Sequence, residues 1–160
     1  MLKPLICATA LSLTAAVSVP SVYAIPATDA MKVPHIVSSV QFPQSKASIV
    51  RHTFRLQIPP NSKSLSQLTI DVPAGLKVKN KIAVSDKTGR QIDTNTSVDG
   101  SKVTLVFPTP VSPGNELKIA MRDVKISGIT NAWLYKVYAR LVGIDADLPI
   151  GFARYRVYVR

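Results

Sequence analysis

From Val50 onward the chain falls into short stretches in which apolar residues occupy every second position. Val50, His52, Phe54, Leu56 and Ile58 share one face of an extended segment, and Arg51, Thr53, Arg55 and Gln57 share the other. Successive side chains of a strand point to opposite sides of its sheet, so this spacing needs one dry face and one wet face. The pattern returns in Leu68, Ile70 and Val72, in Val78, Ile82 and Val84, in 91–98, in 102–107, and in Leu117, Ile119 and Met121, with Val124 closing that run. Trp133 to Val142 and Ala153 to Val159 complete the series. Turn formers separate the runs: Pro59-Pro60-Asn61-Ser62, Pro73-Ala74-Gly75, and Asp86-Lys87-Thr88-Gly89 with glycine in the left-handed position. Pro108, Pro110, Pro113 and Gly114 read as a loop, as do Ser127 to Asn131 and the segment holding Asp145, Asp147 and Pro149. Asp99-Gly100 between two alternating runs predicts a hairpin with positive φ at both central residues. About eight strands follow, with no amphipathic helix. The fold class is all-β: an antiparallel, immunoglobulin-like β-sandwich, with a small closed β-barrel as the alternative.

Ahead of the strands the composition changes. Lys3 supplies a short positive start, Leu5 to Val19 an apolar run, Pro20 a break, and Val22-Tyr23-Ala24 small residues at the two positions a signal peptidase reads. Residues 1–24 are therefore expected to be a cleavable signal peptide. The apolar run is too short for a membrane span, so none is expected after processing. Residues 25–45 read as a leader, loose from Ile25 to Val33, and first strand region, and 46–160 as the sandwich domain. Cys7, the only cysteine, lies within the apolar run, ahead of where a lipidated cysteine would stand. The processed chain would have none, which excludes disulfides, thiolate nucleophiles and zinc–thiolate sites. The core alone must then hold the fold, and one domain of this length buries enough apolar surface to do so.

Catalytic signatures are missing from the sequence. No serine lies in a Gly-x-Ser-x-Gly elbow, and no phosphate-cradling glycine loop or dinucleotide fingerprint is present. His35 follows Pro34 and reads as solvated. His52 lies on the apolar face of its run and reads as a satisfied core histidine rather than a general base. Asp145-x-Asp147 lacks the rest of a calcium-loop spacing and reads as a polar connection. No catalytic residue, metal site or cofactor is assigned.

Twenty Lys and Arg stand against nine Asp and Glu, a net charge of +11, and loss of residues 1–24 would remove only Lys3 from the cations. Such a balance favours polyanions and anionic head groups as partners. The last two runs concentrate it. Lys136, Tyr138 and Arg140 share a face in the first, and Arg154, Arg156, Tyr158 and Arg160 share one in the second. If these strands pair antiparallel, both sets fall on one side of the sheet. The resulting candidate binding face holds five cations and two tyrosines. Arginine forks suit carboxylate and phosphate. The same charges also guard a sheet against edge-to-edge association.

Short motifs connect the chain to a family. They are Leu65-Ser66-Gln67-Leu68 with Asp71-Val72-Pro73-Ala74-Gly75, then Pro108-x-Pro110-Val111-x-Pro113-Gly114, then Asn131-Ala132-Trp133-Leu134-Tyr135. Leu141-Val142-Gly143-Ile144, Pro149-Ile150-Gly151 and Ala153-Arg154 continue the series. Through them Phe54 to Val159 resembles a family of small exported cyanobacterial proteins, domain of unknown function 2808. The resemblance implies a cyanobacterial exported protein and carries no activity or catalytic residues with it. The expected function is a non-enzymatic envelope protein in the periplasm, outer envelope or medium, contacting anionic polysaccharide or lipid head groups through the basic face. A structural or assembly module docking on an envelope protein is a second reading, and a hydrolase with an unrecognised site a third. Export argues against nucleic acid as a partner.

Overall fold

A computed structural model describes residues 32–157. The expected signal peptide lies outside the described residues, as do Tyr158 and Arg160. The described chain forms ten strands: β1 (His35–Phe42), β2 (Ile49–Gln57), β3 (Leu65–Asp71), β4 (Leu76–Lys77), β5 (Ile82–Asp86), β6 (Asn95–Asp99), β7 (Lys102–Val111), β8 (Glu116–Ile126), β9 (Ala132–Leu141) and β10 (Leu148–Arg156). They make two five-stranded sheets with antiparallel pairing. In the first, β1, β2 and β8 lie side by side, and both β4 and β5 pair with the far side of β8. The second runs β10-β9-β3-β7-β6. Two separate sheets make the fold a sandwich, not the alternative barrel.

The alternation read from the sequence builds the core. Phe54 and Leu56 of β2 and Leu117 and Ile119 of β8 face inward from the first sheet. Leu68, Ile70, Leu105 and Val137 meet them from the second. A slip of one residue would turn all of these to water, so the buried face locks the register.

The structure corrects several boundaries. There are ten strands instead of about eight, because β1 pairs with β2 in the segment read as leader and first strand, and the two-residue β4 pairs with Lys125 and Ile126. Pro108 and Pro110 belong to β7 and not to a loop. They fall in the jump between the Gln67–Val106 and Leu65–Val111 pairs, where no ladder N–H is needed. The last strand begins at Leu148, so Pro149 is a strand residue. A bulge between Pro149 and Gly151, with Gly151 at φ 128°, breaks the alternation that would have revealed this start. In the Asp99-Gly100 hairpin, Asp99 pairs with Lys102, so Gly100 and Ser101 are the central residues. Only Gly100 takes a positive φ, 56°, as in hairpin turns with glycine first.

Candidate binding faces and the buried histidine

β9 and β10 do pair antiparallel, with Arg154 opposite Leu134, Phe152 opposite Lys136 and Pro149 opposite Tyr138. Trp133, Tyr135, Val137, Ala139 and Leu141 point inward from β9, leaving Lys136, Tyr138 and Arg140 outward. Ala153, Tyr155 and Val157 point inward, leaving Arg154 and Arg156 exposed. The structure thus places Lys136, Tyr138, Arg140, Arg154 and Arg156 on one outer surface.

That surface is less uniformly basic than its sequence. Arg140 Nε donates to Asp147 Oδ1 at 2.9 Å, and the register sets Asp71 opposite Lys136. Leu134 and Phe152, about half exposed, stand between the cations. Among the described residues, neither Arg154 nor Arg156 has a carboxylate in ion-pair range. Both line a cleft of about 260 Å³ with Ser39, Gln41 and Gln44, where β1 lies against β10. The Ser39 hydroxyl donates to the Arg154 carbonyl across this seam.

Beneath the seam lies His52, fully buried on the inner face of β2. Its Nε2 is 3.0 Å from Gln41 Oε1 and its Nδ1 is 2.6 Å from the Tyr135 hydroxyl. The Gln41 amide nitrogen donates to the carbonyls of Pro43 and Ser45, so Oε1 must accept. Nε2 therefore carries the proton, and Nδ1 accepts from Tyr135. The imidazole stacks on Tyr155 at 4.1 Å and meets Tyr135 edge-on. Burial lowers the His52 pKa to about 4 and raises both tyrosine phenols above their ordinary range. This ring is neutral, saturated with partners and closed to solvent: a core histidine, as its apolar-face position predicts. His35 is exposed at the start of β1. Among the described residues, no group of three or more His, Cys, Asp or Glu could hold a metal ion, and no helix is long and apolar enough to cross a membrane.

The sequence reading missed a second set of cations. Arg51 and Arg55 were legible as outward residues of β2. Lys118 and Arg122 join them only because β2 pairs with β8, a neighbour far away along the chain. Alternation reveals which face a residue takes and not which strand lies next to it. The joining signal, outward cations two positions either side of Ala120, was present in the β8 run.

A family model described as "Protein of unknown function (DUF2808)" matches residues 27–145. The chain belongs to the DUF2808 family. No curated protein matches this DUF2808 chain in sequence. By fold it is similar to the N-terminal domain of the Streptococcus gordonii adhesin Sgo0707 (TM-score 0.55, 12% identity), covering 80% of the DUF2808 chain and 34% of the adhesin's. It is also similar to the Streptococcus pneumoniae pilus backbone RrgB (TM-score 0.51, 9% identity), covering 68% and 31%. The bacterial hydrophobin BslA gives a TM-score of 0.50 at 14% identity, covering 81% and 97%. The chain thus spans about a third of the adhesin and pilus chains and nearly all of the hydrophobin. At these identities the likeness shows a shared immunoglobulin-like sandwich.

Proposed function

We propose that this DUF2808 protein is a non-catalytic, exported module that holds an anionic polymer of the cell envelope. The observation that carries the reading is the outward pair Arg154 and Arg156, exposed and without a carboxylate partner among the described residues, on the same surface as Lys136 and Tyr138. Guanidinium forks grip carboxylates and phosphates in two-point contacts. The outer surface continues past them through exposed Leu134 and Phe152, which suits an extended partner better than a small molecule. The fold's occurrence in an adhesin and a pilus backbone supports an envelope role.

Binding of the purified protein to an acidic polysaccharide should weaken steeply with salt, because exposed charges are screened over about 8–10 Å at physiological ionic strength. Arg154→Glu with Arg156→Glu should lower that affinity by roughly tenfold or more, since hydrogen bonds to charged groups contribute about 1.5–3 kcal/mol each. The melting temperature should barely move, because such surface changes stay within about 0.5 kcal/mol. Unchanged binding by the double variant removes this face from the function.

Export has its own check. Protein recovered from the periplasm or medium should begin at Ile25 by intact mass, reflecting cleavage after Ala24. A full-length chain confined to the cytoplasm would contradict the envelope reading.

A further inference from the structure

The outer face of the first sheet is built as a walled trough. β2 contributes Arg51, Thr53 and Arg55 to it, and β8 contributes Lys118, Ala120 and Arg122. The register sets Thr53 opposite Ala120 and Arg55 opposite Lys118. β1 adds Ser38 beside Arg55, Val40 beside Thr53 and Phe42 beside Arg51. On the far side, β5 sets Ser85 beside Lys118 and Ala83 beside Ala120. Three rows therefore cross the sheet. The middle row, Val40-Thr53-Ala120-Ala83, is short-chained. The rows on either side carry the long cations, Arg55 with Lys118 and Arg51 with Arg122. Together the lining residues enclose a trough of about 340 Å³.

Its dimensions follow from sheet geometry. The three lining strands, spaced about 4.8 Å apart, make the floor roughly 10 Å long, and the cation rows lie four residues apart along a strand, about 13 Å between backbones. Few carboxylates oppose this charge. Glu116 is 3.6 Å from Arg55, and Asp123 is held at 2.6 Å by Lys81. The Lys81 ammonium, with smaller contributions from Lys79 and Arg122, holds the Asp123 carboxyl below its usual range. Among the described residues, Arg51, Lys118 and Arg122 have no ion-pair partner. The Arg51 guanidinium lies 5.3 Å from the centre of the Phe42 ring, and Phe42 is 63% exposed.

We propose that this trough is a binding site for an acidic polysaccharide, lying across the strands with its acidic groups on the two cation rows. A linear chain fills a floor of small side chains, where a planar lipid surface would rest on the cations and leave the floor empty. Ser38 and Thr53 offer hydroxyls to sugar hydroxyls. Phe42, steadied by Arg51, offers a ring to the C–H side of a sugar. The trough lies on the other sheet from Arg154 and Arg156; Val40 of β1 borders both, and the cations of the two sites are different residues.

The test measures binding of the full chain to alginate, with dextran as the neutral control, phosphatidylglycerol vesicles as the lipid control and duplex DNA as the nucleic-acid control. Alginate should bind, in a salt-sensitive way, and dextran should not. Arg51→Gln with Arg122→Gln should lower alginate affinity by at least about tenfold, from loss of two charge-assisted contacts. Ala120→Phe changes no charge but fills the floor, and should lower alginate affinity as well. Thermal melting of each variant verifies folding. If Ala120→Phe binds alginate like the parent, charge alone is responsible and the trough is overturned. Vesicles or DNA binding more tightly than alginate would also overturn it. Loss of binding on Arg154/Arg156 reversal, with both trough variants unaffected, refutes the trough and leaves the other face standing. The opposite pattern refutes the other face and leaves the trough.

Discussion

Trp133→Ala should destabilise the fold by about 3–5 kcal/mol, the range for deleting a large buried aromatic. Trp133 opens the inward row of β9 and is 4% exposed. Its ring lies against two glycines. A β-carbon on Gly128 would come within 2.8 Å of the ring, and one on Gly75 within 3.1 Å. Gly75 immediately precedes β4 and Gly128 follows β8, both strands of the first sheet, so the indole fills a slot between the sheets that alanine would leave empty. The indole N–H has no hydrogen-bond partner among the described residues. Truncation therefore orphans no other polar group, and the loss is one of packing and apolar burial. Urea unfolding followed by far-ultraviolet circular dichroism measures the effect directly. A change below about 1 kcal/mol, far under the range for such deletions, would contradict it. So would parent tryptophan emission resembling free indole in water.

Acid should weaken the protein through His52. Its pKa is 6.5 in a solvated chain and about 4 in the folded one, because burial disfavours the imidazolium. Above pH 6.5 neither state carries the extra proton, and the group leaves stability unaffected. Between pH 6.5 and about 4 the unfolded chain takes up a proton that the native core refuses. Stability then falls by about 1.4 kcal/mol per pH unit, roughly 3 kcal/mol over the window. Protonation would place a second N–H on Nδ1 against a Tyr135 hydroxyl that already donates to it. His52→Gln removes the titration, and the slope of urea midpoint against pH should flatten in this window. A parent protein equally stable at both ends of the window would refute the assignment.

These two residues also show how far the sequence could be read. Trp133 and His52 lie at inward positions of alternating runs, and both are buried as that spacing requires. Period two follows from the pleat itself, so it survives wherever a strand is regular. The reading fails where the pleat is interrupted. The Gly151 bulge hid the first residues of β10 and with them exposed Phe152, which now interrupts the basic face. Pro108 and Pro110 resemble a loop, yet continue a strand because their neighbours there make no ladder bonds. The candidate face on β9 and β10 was legible because those strands are adjacent in the chain as well as in the sheet. The trough was not, since β2 and β8 are separated by five intervening strands and only the closed core brings them together.

The seam between β1 and β10 has a mechanical meaning. Phe42 pairs with Arg51, near the end of the first sheet marked by Val50 and Val124, and Trp133 with Tyr155 marks the same end of the second sheet. β1 and β10 therefore run in the same direction along the seam, and the described chain enters at one end of it and leaves from the other. Tension between residues 35 and 156 would slide the two strands past each other instead of peeling them apart. Every contact along the seam, including the Ser39–Arg154 hydrogen bond and the packing over His52, would then bear the load at once.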